Sequence, residues 1–380
     1  MEEWRSIKMK RSKRLRSRLV GAVVVLAVVV LAVAMTWPGS SEARTVRDHL
    51  GLDVDLPEKI ERIAVVAPLP LASVVAVYQG GDVRNLVGIP PDLLNTARRS
   101  VLGKYAPGLL SVSSDFYKGG SLNIEELLNL KPDVVFYSGA VHTETYKKAG
   151  IPAVAFTHPN IGGSVSTLRT LEMWLDLMEQ VLGGENKARG IVAYGREVEA
   201  EIARRVRDIP REKRARVLIL SNYNDTAISV SGRKTFGEYW CDAVGAVNVG
   251  LDVGKKNVNM EQIYDWAPDK VFLTTFTALV PQNLYDNTAG PGHDWSHVPA
   301  VRNRDCHKFP LGMHRWWPPC TDTPLALWWF AKAVYPDLFE DIDIPLKVKE
   351  YYGRFYGMEL TDGEVEKLLS PGAEMRRDFF

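Results

Sequence analysis

From residue 45 onward, short unbroken apolar runs alternate with longer stretches in which apolar residues recur every three or four positions. Ile63-Ala64-Val65-Val66 carries no charge and stops near Pro68. A strand that is apolar at every position is buried on both faces, as in a parallel sheet covered by helices. Residues 46–56 alternate like a hairpin that ends at Pro57. Residues 69–78 have helical spacing, and 83–87 read as another short strand. Further strands are predicted at 153–156, at 216–220 and near Phe309.

One helix–strand phrase is written twice. NIEELLNLKPDVVFYSG (123–139) and NMEQIYDWAPDKVFLTT (259–275) align without a gap. Asn123 with Glu126, and Asn259 with Gln262, have the spacing of a capping box. Ile124, Leu127 and Leu128 share one helical face, and Met260, Ile263 and Tyr264 repeat it. Lys131 and Ala267 each precede a proline, which disfavours further helix. A buried strand follows in each copy, so each is one helix feeding one strand of an α/β sheet. Between the copies, 167–181 is an amphipathic helix, Gly183-Gly184 breaks it, and 185–208 resumes with Ile191, Val192, Val198 and Ile202 on one side. More than twenty residues of helix span roughly 35 Å, so helix and not flexible linker joins the halves.

The start of the chain is different. Eight basic residues lie between Arg5 and Arg18, and the apolar run from Leu19 to Met35 has no charge. A basic region followed by an apolar one is the layout of a secretory signal, and the apolar run is also near the minimum for a membrane-spanning helix. Cleavage after Ala34 or after Ala43 and retention as an N-terminal anchor stay open; each predicts that the rest is exported. At 380 residues the chain suits two domains. The net charge of +1 gives no argument for a nucleic-acid partner. Three cysteines, Cys241, Cys306 and Cys320, exclude a complete disulfide framework and leave a Cys306–Cys320 bridge as one option. None follows the apolar run closely enough for lipid attachment. Ser221, Ser229 and Ser231 lack a nucleophile elbow, and no phosphate-cradling glycine loop occurs, so no catalytic set emerges.

Several pieces in this order resemble the solute-binding proteins of ABC importers, in the subgroup that carries metal chelates. They are TVRDHLGLDVDLPEKIERIAVVAP, SLNIEELLNLKPDVVFYSG with KKAGIPAVAF, VSGRKTFGEYWCDAVGAVNV with the second copy, HDWSHVPAVRNRDCHKFP, and WWPPCTDTPLALWWFAKAVYPDLF. The resemblance implies an α/β fold of two Rossmann-like lobes with central, mostly parallel sheets joined by a single long helix. It divides the chain into a signal or anchor (1–43), an N-terminal lobe (44–165), a helical connector (166–210), a C-terminal lobe (211–345) and a helical tail (346–380). It further implies a monomeric, non-enzymatic protein with no cofactor of its own. Its ligand would be an iron or cobalt chelate: ferric siderophore first, then a corrinoid such as cobalamin, then haem. Its partners would be the permease and ATPase subunits of the importer. A chelatase-type enzyme on a related fold and a surface sensor or adhesion protein are the rival classes; export and the missing catalytic pair argue against the first.

The resemblance places the ligand between the lobes, at the carboxyl ends of the strands, as in open α/β sheets generally. Candidate ligand contacts are Tyr117, Lys118, Tyr137, Tyr223, His314, Arg315, Trp316 and Trp317, with Pro68, Leu69, His142 and Thr275 nearby. Aromatic faces suit a flat or greasy chelate, and a guanidinium suits carboxylate or catecholate oxygens. His314 is a candidate axial contact to a chelated metal. Permease docking is expected through Glu125 on the first lobe. On the second lobe the family's acidic position falls on Lys234, leaving Glu238 and Asp242 as substitutes. His293, His297, Cys306, His307, His314 and Cys320 form a dense run of potential metal ligands. The prolines around His293 and His297 favour a surface loop over a metal site.

Overall fold

The computed structural model describes residues 44–67, 70–118, 121–139, 143–157, 166–224, 227–253 and 257–372. The segment expected to be a signal or anchor lies outside them, as do Pro68, Leu69 and His142. Thr45–Leu56 and Ile60–Phe380 form one compact unit. Met1–Arg44 with Pro57–Lys59 forms another, of which only Arg44 and 57–59 are described.

Two sheets organise the large unit. The first has four parallel strands in the order Leu86–Gly88, Ile63–Val65, Val134–Tyr137, Ala153–Ala155. The second runs Asn257–Val258, Ala227–Val230, Arg216–Asn224, Lys270–Leu273, Cys306–Lys308, with Val247–Asn248 beside the start of Arg216–Asn224. Its last two junctions are parallel and its first two antiparallel. The antiparallel part arises because the strand expected over 216–220 continues to Asn224 and turns back as a hairpin. At the N-terminal end, Arg44–Arg47 and Asp53–Leu56 pair as the expected hairpin.

Alternate positions on the strands serve different cores, as the two-residue period requires. Ile63, Val65, Val134, Phe136, Val154 and Phe156 face a large central core, and Val217, Ile219, Phe272 and Phe309 of the second sheet face the same one. The intervening residues Ala64, Val66, Val135 and Tyr137 enter a small core on the far side of the first sheet. Leu218, Leu220, Val271 and Leu273 do the same on the second. Two helices, Thr167–Leu182 and Arg189–Val206, fill the middle, with Gly183 at positive φ where the first ends. Arg189–Val206 packs along the closing helix Thr323–Val334. Both lobes thus share one continuous apolar interior. Trp328 is buried and Trp329 half-buried on the closing helix, both packed into that interior.

The repeated phrase is built twice, with one difference. Asn259 and Gln262 complete a reciprocal capping box on Met260–Trp266. On Ile124–Asn129, Asn123 accepts from the Glu126 amide, but the Glu126 carboxylate goes to Lys118 at 2.7 Å. Both helices end on a residue in the left-handed region, Lys131 at φ 47° and Ala267 at φ 38°. Each end is then held by an arginine at the head of the neighbouring strand. Arg62 donates to the Leu130 and Lys131 carbonyls, and Arg216 to the Trp266 carbonyl. The Pro-Asp carboxylates complete the joint: Asp133 accepts from the Arg62 amide and Asp269 from the Arg216 amide.

Cys241, Cys306 and Cys320 are all buried and unpaired, so the Cys306–Cys320 bridge is not formed. Cys306 lies on the last strand of the second sheet, whereas Cys320 precedes the closing helix and packs into the central core.

Candidate functional site

Among the described residues, Arg315 links a loop at the carboxyl end of the second sheet to the first lobe. The strand Cys306–Lys308 leads into residues 309–317, and the buried Arg315 extends from this loop. Its guanidinium donates to the Thr275 carbonyl at 2.6 Å, just past the strand Lys270–Leu273, and lies over the Phe276 ring. The other terminal nitrogen donates to the Asp92 carboxylate at 2.7 Å. Asp92 belongs to the first lobe, in the first turn of helix Pro91–Arg99.

The second-lobe side of this junction is braced by hydrogen bonds. Thr274 and Thr277 donate their hydroxyls to the Ser221 and Tyr223 carbonyls, and buried Lys308 donates to the carbonyls of Thr277 and Leu279. The loop 274–279 is therefore pegged in place, with the Thr275 carbonyl aimed at Arg315. Two buried hydroxyls near the ion pair, Thr275 Oγ1 and Thr96 Oγ1, have no hydrogen-bond partner among the described residues. Thr96 lies one helical turn from Asp92, on the same face. An unsatisfied buried hydroxyl is costly, and a bound polar ligand is one way to relieve it.

The other expected contacts are dispersed. Trp316 is fully buried, with its indole N–H on Asp322 at 3.0 Å, and Trp317 packs on Phe236 and Phe309. Tyr223 is buried in the second lobe, its hydroxyl held by His293 and the Trp295 indole. Tyr137 is buried against Tyr146, its hydroxyl 3.0 Å from that of Thr143. Tyr117 donates to the Val66 carbonyl at 2.7 Å, and burial pushes its phenol to about 12. Lys118 is exposed and paired with Glu126. His314 is buried beside Arg315 in the chain.

The dense run of potential metal ligands disperses too. His293 bonds Tyr223, His297 faces Asp294, and His307 bonds Asp305 and stacks on Phe272. Among the described residues, no three His, Cys, Asp or Glu side chains are arranged to hold a metal ion.

Of the docking candidates, Glu125 is exposed in the first turn of its helix. Glu238 is buried: its carboxylate accepts from the Lys234 amide at 2.8 Å and faces Arg233. Asp242 is exposed, with its carboxyl pushed upward by partial burial and by Glu238. Glu261, the counterpart of Glu125 in the second copy, is equally exposed in the first turn of Met260–Trp266. The internal alignment points straight to it. The family's acidic position, which falls on Lys234, points elsewhere.

The same architecture occurs in known proteins. Over 335 residues the chain is 28% identical to the molybdate-binding protein MolA of Haemophilus influenzae, covering 82% of this chain and 88% of that one. A periplasmic solute binding protein of Veillonella parvula superposes with a TM-score of 0.73 at 29% identity, covering 88% of this chain and 99% of the other. MolA bound to molybdate superposes with a TM-score of 0.67 at 24% identity, over 84% and 99% of the two chains. No helix among the described residues is long and apolar enough to cross a membrane. The profile of the periplasmic binding protein family matches residues 63–308, from the first strand of the first sheet to the last strand of the second, and the chain belongs to that family.

Proposed function

We propose that this protein is the exported solute-binding component of an ABC importer, and that it captures a metal-containing anion between its lobes. A tetrahedral oxyanion of the molybdate type fits best. The observation that carries this reading is Arg315: a buried guanidinium at the lobe junction, with the hydroxyls of Thr275 and Thr96, unpartnered among the described residues, on the two sides of its ion pair. Planar guanidinium donors and hydroxyls match the oxygens of a compact anion, which would take the place of the Asp92 carboxylate on Arg315. MolA, the relative above, is a molybdate-binding protein.

The corrinoid and haem readings call for broad aromatic walls. Trp316, Trp317 and Tyr223, the rings expected to supply them, are spent inside the cores. That favours the smaller ligand. Docking on the permease falls to Glu125 and Glu261, one on each lobe at matching stations.

Isothermal titration of residues 44–380 with sodium molybdate, sodium tungstate, a ferric hydroxamate, cobalamin and haem tests the reading. Saturable one-to-one binding of molybdate or tungstate supports it. Binding of a chelate with no response to either oxyanion overturns the ligand assignment. Silence toward all five overturns the metal-ligand reading as a whole.

A further inference from the structure

Asp322 is fully buried at the start of the closing helix, and no cation pairs with it among the described residues. Four donors converge on its carboxylate instead. The Met313 amide reaches Oδ2 at 2.7 Å, and the Trp316 indole and the Tyr352 hydroxyl reach the same oxygen at 3.0 Å each. The Tyr356 hydroxyl reaches Oδ1 at 2.7 Å. Met313 and Trp316 flank His314 and Arg315 in the chain, so two of the four bonds bracket the residues at the lobe junction. Gly312 completes the fit, since a Cβ there would overlap Asp322 Oδ2 and Tyr352 Oη. Tyr352 and Tyr356 come from the C-terminal helix Ile344–Tyr356.

That C-terminal segment touches both lobes. Tyr356 packs edge-on against Tyr105 of the first lobe, and Lys104 pairs with Glu364 on the last helix, Asp362–Leu369, at 2.8 Å. The same last helix accepts the Leu311 amide at the Leu368 carbonyl. Both ends of the 311–316 loop are therefore tied to elements outside the two sheets.

We propose that Asp322 is a positioning residue for ligand capture. Through it the helix Ile344–Tyr356 holds the 311–316 loop in the shape that places Arg315 at the lobe junction. The proposal rests on the ligand reading above for its consequence in binding, but not for its consequence in loop geometry. Burial pushes the Asp322 carboxyl above its usual range, against the pull of the four donors. Keeping a carboxylate there has a cost that a purely apolar contact would avoid.

The test compares wild type, Asp322→Asn and Tyr356→Phe, each as residues 44–380, at a temperature where circular dichroism shows all three folded. Amide hydrogen exchange and molybdate titration are read on the same samples. The expected result for Asp322→Asn is exchange at 311–316 at least tenfold faster, with the sheet strands unchanged, and molybdate affinity weaker by at least tenfold. Tyr356→Phe should shift both in the same direction by less. Exchange at 311–316 equal to wild type, whatever happens to the melting temperature, overturns the proposal and leaves Asp322 a stabiliser only. If wild type does not bind molybdate, the ligand reading fails and exchange alone decides the loop's dependence on Asp322. If Asp322→Asn does not fold, Tyr356→Phe and Tyr352→Phe carry both measurements.

Discussion

Arg315 and Asp92 stand 2.7 Å apart across the lobe boundary, both buried, 223 positions apart in the chain. Removing one partner of such a pair strands the other charge in a poor solvent, at about 3–5 kcal/mol. Arg315→Met should therefore destabilise far more than its lost contacts suggest. Adding Asp92→Asn to that variant should restore a large share. Urea unfolding of both single variants and the double variant measures the coupling; strictly additive losses would show that the pair is not a unit.

The duplicated joint makes a prediction of opposite sign. Lys131 and Ala267 sit in the left-handed region without being glycine, a conformation that costs an ordinary residue about 1–2 kcal/mol. Ala267→Gly and Lys131→Gly should each be neutral or stabilising by up to about 1 kcal/mol. Asp133→Ala and Asp269→Ala strip the acceptor from the adjoining strand and should each cost about 1–2 kcal/mol. Chemical denaturation of the four variants checks the contrast.

Charge reversal tests docking. Glu125→Arg and Glu261→Arg lie on exposed helix starts, outside the lobe junction. Solute affinity should stay at the wild-type value in both. Stimulation of the cognate transporter's ATPase in proteoliposomes should fall at least severalfold for each, and further for the double variant. Full stimulation by Glu261→Arg alongside a loss from Asp242→Arg would move the second contact to Asp242.

Acid should loosen the helical connector. Hydrogen bonds from Arg204 and Arg205 hold the Glu201 carboxyl down to about 2, and Arg205 also pairs with Asp341 after the closing helix. A depressed carboxyl contributes stability that is present above its unfolded value near 4.5 and is lost as pH falls toward 2. Glu201→Gln should therefore flatten part of the fall in melting temperature between those limits. The exposure of the network keeps the effect small. An unchanged pH profile would remove Glu201 from the account.

Much of the scaffold was readable in advance because its signals are local. The Asn caps, the Pro-Asp turns and the glycine break at 183–184 act within a few residues, and the structure has each where the pattern places it. The site was less readable because its partners are remote. Nothing near Asp92 announces Arg315, and nothing near Asp322 announces Tyr352 or Tyr356. A tryptophan in a proline-rich loop has the same local signature whether it lines a cleft or fills a core. Trp316 and Trp317 turn inward, and Arg315 between His314 and Trp316 pairs with Asp92 of the first lobe. Arg62 and Arg216 lie outside the visible repeat, which begins only at the helix. Their shared role emerges once the carbonyls they cap are known.

The three buried thiols have a practical meaning. Burial raises all three thiols, Cys306 to about 12, so at neutral pH they remain protonated and poor nucleophiles. A chain whose final shape contains no sulfur–sulfur bond needs no oxidase or isomerase to reach it. Residues 44–380 can therefore be made in a reducing cytoplasm, handled with dithiothreitol and refolded without a redox couple. Whatever its compartment does to other proteins' cysteines, this fold is indifferent to the local thiol–disulfide poise.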